Sequence, residues 1–259
     1  DAQGRRRQRL AAAPGIQRVG VISVAPLSGL LATVPFTLDG QATERSGPMA
    51  NLRAISPGYL TTVATRVVEG RGLEETDRGN APHVGLVSAA LADRFLGGRA
   101  VGQRLLINDN NQGPRPIEIV GVVDNVRQAA LNLPPALDLY IPLRQIHQDG
   151  VGFLRNNQFW MLKTASDPAA FRGTFLEHLR AVDPDAAVSG AGTMGQFVEA
   201  WLGPRRFTLG LFGAFALTSI LLAVSGLYGL VAYAVSQRAQ EIGLRMAIGA
   251  TERDVLLMV

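Results

Sequence analysis

Residues 207–236 break with the rest of the chain: none is charged, and Leu, Phe, Ala, Val and Gly fill most positions. As a helix rising 1.5 Å per residue the stretch is roughly 45 Å long, against roughly 30 Å for the hydrocarbon layer of a bilayer. Buried core helices rarely run past about twenty uninterrupted apolar residues, so the pattern predicts a transmembrane helix that tilts or protrudes as a stalk. Small residues recur along it at Gly210, Ala214 and Thr218 and again at Ser225 and Gly229. That spacing lets a second helix backbone approach closely, which a lone anchor does not need, so other membrane helices are expected partners.

Upstream, the apolar pattern is shorter and changes period. Strands are predicted at 17–24, 34–38, 49–56, 84–87, 103–107, 117–123, 159–163 and 187–189. A helix is expected to end over 5–13 at Pro14-Gly15, and a short one to start at Pro57, a residue suited to the first helical position. A third spans 89–95 before Gly97-Gly98, and a fourth spans 168–182 with Phe171, Phe175, Leu179 and Val182 on one face. The polar stretch 39–48 suggests a boundary. The expected fold is therefore an α+β domain assembled from 1–48 and 156–203, with a mixed α/β block, 49–155, inserted between its halves, and then the membrane helix.

Composition agrees with this division. Hydrophobic residues make up 47% and charged residues 18% of the chain, and the apolar excess sits in 207–236, leaving an ordinary globular remainder. The pI is about 10.1 on a formal charge of only +4. The basic residues are almost all arginine, with Lys163 the one lysine, and outside Arg5, Arg6 and Arg7 they are scattered rather than set among aromatics, so no nucleic-acid partner is expected. Arg205 and Arg206 precede the span while Arg238, Arg245 and Arg253 follow it, an excess on the C-terminal side too slight to set the orientation by charge. The chain opens without a start methionine and stops within an apolar run, as a piece of a longer protein would.

The chemistry-bearing residues form no catalytic or cofactor pattern. With no cysteine there is no disulfide, thiolate metal site or cysteine nucleophile. His83, His147 and His178 lack zinc spacing, and no serine sits in a nucleophile elbow. Gly70-Arg71-Gly72 and Gly97-Gly98-Arg99 do not extend to a phosphate-binding loop and are expected to be turns. Asn108-Asp109-Asn110-Asn111-Gln112-Gly113 lacks the bidentate glutamate of a calcium loop, so it too is expected to be a turn. No cofactor, metal or enzymatic activity is expected of this chain.

After the span, Arg238, Glu241, Ile242, Gly243, Arg245, Gly249 and Ala250 follow the pattern Arg-x-x-Glu-Ile-Gly leading to Arg-x-x-Gly-Ala. The segment resembles the start of the FtsX-like permease domain in MacB-type ABC transporters. Upstream, Ile55-Ser56-Pro57-Gly58-Tyr59-Leu60, Glu69-Gly70-Arg71, Asp93-Arg94-Phe95, Val101-Gly102, Ile119-Val120-Gly121-Val122-Val123 and Tyr140-Ile141-Pro142-Leu143 are similar, in that order, to the MacB-like periplasmic core domain. So is Pro26-Leu27-Ser28-Gly29.

The resemblance implies a bacterial inner-membrane permease subunit. Residues 1–203 would be a periplasmic core domain, with 1–48 and 156–203 a ferredoxin-like, porter-type subdomain and 49–155 the insertion. Residues 237–259 would be a cytoplasmic coupling segment opening a truncated permease domain. It further implies a cytoplasmic ABC ATPase as partner, a homodimer or fused pseudo-dimer, and a periplasmic partner, with ATP-driven motion used for export or mechanotransmission.

Arg238, Glu241, Ile242, Arg245, Gly249 and Ala250 would form the ATPase-coupling interface. Their physics is compatible: Glu241 and Arg245 stand one helical turn apart in the favourable order, and Gly243 and Gly249 permit a change of direction. The competing reading is a transmembrane sensor with an extracytoplasmic ligand-binding domain. It calls for heptads after Ser236, which Gly243, Gly249 and Ala250 interrupt.

Overall fold

The computed structural model describes residues 4, 7, 10–26, 28, 30–40, 47–108, 114–126, 134–146, 154, 158–182, 190–240 and 243–244. Among them, nine strands form one mixed sheet: β1 (Ile16–Ile22), β2 (Thr33–Leu38), β3 (Met49–Ile55), β4 (Val67–Gly70), β5 (Val84–Ser88), β6 (Arg104–Asn108), β7 (Pro114–Val123), β8 (Asp138–Pro142) and β9 (Phe159–Thr164). Among the described residues are the helices α1 (Tyr59–Thr62), α2 (Ala89–Phe95), α3 (Pro168–Val182) and α4 (Met194–Gln237).

The strand order is β2-β6-β7-β5-β8-β3-β1-β9, with β4 on β7. Because β2 also pairs with β3, the path from β2 through β6, β7, β5 and β8 to β3 closes on itself. The pairs β3–β8 and β5–β7 are parallel, and the others antiparallel. Successive side chains of a strand point to opposite faces, and on β8 both faces are covered. On β8, Leu139 and Ile141 join one apolar core with Leu52, Phe36 and Leu105, while Tyr140 between them joins another with Ile55, Tyr59 and Leu86.

The mixed α/β region followed by a long apolar helix is the fold class the pattern predicted. The first and last parts of the region meet directly, since β1 runs antiparallel to β9 from Ile16↔Thr164 to Ile22↔Phe159. On the predicted apolar face of α3, Leu179 is buried in a small core with Leu10 and Val19, and Phe175 packs against it. β2 pairs with β6 and β3, so this strand of the first 48 residues is built into the ring of the following block.

Several local details differ from expectation. Pro57 lies one residue outside α1, whose N-cap is Gly58, so it directs the chain into the helix without being its first residue. Gly70 closes strand β4 rather than forming a free turn. β8 was not predicted as a strand because five consecutive buried residues carry no alternation. The predicted strand 187–189, residues 109–113, His147 and the side chains of His178 and Val182 lie outside the description.

Residues Asp1–Val198 and Glu199–Val259 form two compact units. Helix α4 starts well before the predicted span, for a local reason. Gln196 N–H donates to Thr193 Oγ1 at 3.2 Å, and Thr193 N–H donates to Gln196 Oε1 at 3.0 Å. This reciprocal capping box satisfies donors left open at a helix start.

Candidate functional site

Within α4, Phe207–Gln237 is long and apolar enough to cross a membrane, with a mean hydropathy of 2.1, and none of its most apolar window is buried. A helix in water hides its apolar stripe, whereas this one is apolar and exposed all round, so its surroundings are lipid or other membrane helices. At 3.6 residues per turn, Gly210, Ala214, Thr218, Ser225 and Gly229 share an arc of roughly 100°. All five are exposed, and a Cβ added to Gly210 or Gly229 would meet nothing within 4 Å. Thr218 Oγ1 donates to Ala214 O and Ser219 Oγ to Phe215 O, each at 2.9 Å, so neither hydroxyl brings an unsatisfied group into lipid.

The helix ends in local hydrogen bonds: Ser236 Oγ donates to Tyr233 O at 2.8 Å, Gln237 Nε2 to Tyr233 Oη at 2.7 Å and Arg238 N to Val235 O at 3.2 Å. Arg238 is exposed in the turn that follows, and Gly243 and Leu244 are helical and exposed. Of the other expected coupling residues, Glu241, Ile242, Arg245, Gly249 and Ala250 lie outside the description.

A fully buried ion pair in the first unit joins two residues that the sequence did not single out. Arg53 Nε donates to Asp138 Oδ1 at 3.0 Å, with the side chains 2% and 0% exposed. Arg53 Nη1 also donates to Val24 O at 3.1 Å and Asn51 Nδ2 to Asp138 Oδ1 at 3.2 Å, while Asp138 N–H donates to Ser88 Oγ at 3.1 Å. Burial pushes the Asp138 carboxyl up from its ordinary value, and the attraction and hydrogen bonds of Arg53, with those of Asn51 and Tyr140, only partly offset this. Period two places Arg53 on the same face of β3 as Ile55, which belongs to the second core, so its burial is a long-range feature.

Near β4, Arg71 grips Asp77 with two bonds, Nη1 to Oδ2 at 2.9 Å and Nη2 to Oδ1 at 3.0 Å, and Glu74 N–H adds a third at 2.8 Å. Burial alone would raise the Asp77 pKa, but these bonds and the Arg71 charge outweigh it and hold the carboxyl below its ordinary value. Beside this pair a cleft is lined by Val21, Ser56, Leu143 and Trp160, and Glu75 bridges Arg7 and Arg144 there. Among the described residues no group of three His, Cys, Asp or Glu is placed to hold a metal ion.

The short motifs scattered through the sequence do meet in space. Glu69-Gly70-Arg71 and Ile119-Val120-Gly121-Val122-Val123 lie alongside each other as β4 and β7, with Gly70 opposite Gly121. Gly102, at φ +84°, donates its N–H to Ile119 O at 2.8 Å. Phe95 packs edge-on against Phe36 at 5.2 Å between ring centroids, and Tyr59 backs so closely on Gly20 that a Cβ there would lie 2.6 Å from its Cα. Their arrangement is one of packing and turn geometry.

Comparison with known proteins follows the same two parts. The family pattern of the MacB-like periplasmic core domain matches residues 3–174, and that of the FtsX-like permease C-terminal matches 213–259. The macrolide export ATP-binding/permease protein MacB of Neisseria meningitidis is 24% identical over 239 residues, 90% of this chain and 36% of the relative. Its namesake in Aggregatibacter actinomycetemcomitans is 25% identical over 218 residues, 82% of this chain and 32% of the relative. The ABC transporter permease YknZ of Bacillus subtilis is 22% identical over 211 residues, 80% of this chain and 51% of the relative. The chain thus spans about a third to a half of the length of these relatives. Among solved structures, the periplasmic region of MacB from Actinobacillus actinomycetemcomitans aligns with a TM-score of 0.48 and 16% identity, over 69% of this chain and 72% of that one.

Proposed function

The chain belongs to the MacB-like periplasmic core domain family and continues into an FtsX-like permease segment, and from that premise we propose that it couples ATP hydrolysis by a separate cytoplasmic ATPase to conformational change in its extracytoplasmic domain. The output is export or mechanotransmission, and this chain contributes no catalytic residue. The observation that carries the reading is continuity: a folded domain leads through the capped helix α4 into an exposed apolar span, and the permease match begins inside that span.

In this reading residues before 207 face the periplasm and residues after 236 the cytoplasm. Arg238, Glu241, Ile242, Arg245, Gly249 and Ala250 meet the ATPase, and the stripe Gly210, Ala214, Thr218, Ser225 and Gly229 packs on other membrane helices of the permease. The functional assembly is a homodimer or a fused pseudo-dimer, with a periplasmic partner. The division into a porter-like part, 1–48 with 156–203, and an inserted part, 49–155, is supported by the β1–β9 pairing. β2 nevertheless lends its edges to the inserted part.

The test is purification of the full-length protein from membranes in mild detergent, with mass spectrometry of what accompanies it. A P-loop ATPase in stoichiometric amount is expected. A chain recovered alone, or one carrying its own kinase module, would overturn the reading in favour of a transmembrane sensor.

A further inference from the structure

Helix α4 carries a proline far from either end, for it runs unbroken from Met194 to Gln237 through Gly203 and Pro204. Proline has no amide hydrogen, so the carbonyl of Ala200, four residues back, lacks its helical donor, and the preceding glycine has the freest backbone of any residue. Sharp helix bends arise almost always at such positions. Pro204 is the one proline in α4, and the capping box at Thr193 and Gln196 secures the helix on its near side.

The position of this weak point matters. Arg205 and Arg206 follow it directly, and the apolar span begins at Phe207. The span is roughly 45 Å long at 1.5 Å per residue, longer than a hydrocarbon layer of roughly 30 Å, and tilting is one way to accommodate the excess, to a degree that depends on bilayer thickness. In a rigid continuous helix, each change of tilt would be imposed on the turns ahead of the membrane. A joint between those turns and the interfacial arginines removes that constraint.

We propose that Gly203-Pro204 is a hinge in α4 that lets the membrane span change its tilt with the bilayer independently of the helical turns preceding it. This inference needs the span to lie in a membrane but does not depend on an ATPase partner.

These 259 residues hold no cysteine, so paired spin labels need only thiols elsewhere in the full-length protein replaced by serine. The full-length protein would carry Glu199→Cys with Leu217→Cys across the proposed hinge. Leu209→Cys with Leu227→Cys, at the same spacing inside the span, serves as control; both pairs are about 27 Å apart along a straight helix. Distances would be measured in vesicles of dimyristoyl- and dierucoyl-phosphatidylcholine, a thin and a thick bilayer. The expected result is a broader distribution for the hinge pair than for the control pair, with a mean that shifts between the two lipids. Pro204→Ala should narrow it to the control width and abolish the shift. A hinge pair as narrow as the control and insensitive to thickness would overturn the proposal without recourse to the variant, and so would an unchanged distribution in Pro204→Ala.

Discussion

Gly70 and Gly121, fifty-one positions apart in sequence, face each other across the β4–β7 pair at a separation that leaves no room for a methyl group on either. A Cβ on Gly70 would lie 2.3 Å from Val120 O, and one on Gly121 would lie 2.3 Å from Arg71 O. Both obstacles are backbone, which cannot swing aside as a side chain can.

Gly70→Ala should therefore destabilise the extracytoplasmic domain by about 1–3 kcal/mol from its positive φ alone, and the close approach to Val120 O adds to that. Gly97→Ala, also at positive φ but with open space around its Cβ position, should show the conformational penalty without the clash. Denaturant midpoints of the two variants separate the contributions. Equal losses would refute the close-approach account.

Removing the cation of the buried pair by Arg53→Met leaves Asp138 without its charged partner, at an expected cost of about 3–5 kcal/mol. Replacing both residues, Arg53→Met with Asp138→Leu, should recover most of it, because much of the penalty is the uncompensated charge. A double variant as unstable as the single one would mean that the pair matters for shape rather than charge. Chemical denaturation of the two variants decides.

The two carboxylates make opposite contributions to pH dependence. Asp77 titrates below its unfolded value, near 3.9, so its stabilising contribution is complete above that value and lost as pH falls through the lower folded one. Asp138 titrates above its unfolded value, so its contribution is present at low pH and lost as pH rises through the folded value. Asp77→Asn should flatten the loss of melting temperature on acidification below about pH 4, leaving the Asp138 trend. An acid limb identical to that of the unmodified protein would show that Asp77 does not contribute to it.

On the proposed coupling role, the charge reversal Glu241→Arg should uncouple the ATP turnover of the proposed ATPase partner from the permease while the extracytoplasmic domain keeps its melting temperature. Paired measurements of turnover and thermal unfolding check this. Turnover and partner binding unchanged by the reversal would remove Glu241 from the coupling interface.

Much of the fold could be read locally. The bounds of α2 and α3 coincide with the predicted 89–95 and 168–182, because each carries a helical apolar period and its own stop signals. The membrane span is a matter of composition over some thirty residues, and nothing remote alters it. Thr193-Met194-Gly195-Gln196 also held a legible signal, the capping box, which places the helix start ahead of the apolar stretch.

What tertiary structure alone decided is how these elements pair and what the pairing buries. β8 shows no period because it lies between β3 and β5 with both faces covered. Arg53 looks solvent-facing by alternation, yet in the fold it is buried and paired with Asp138, eighty-five residues away. The sequence by itself determined the bounds of α2 and α3, the presence of a stretch long and apolar enough to cross a membrane and which family's motifs the chain bears, since those depend on neighbours within a few residues. Strand order, the closed ring through β2 and β3 and the buried ion pair were decided only on folding, because each depends on which distant segments exclude water from one another.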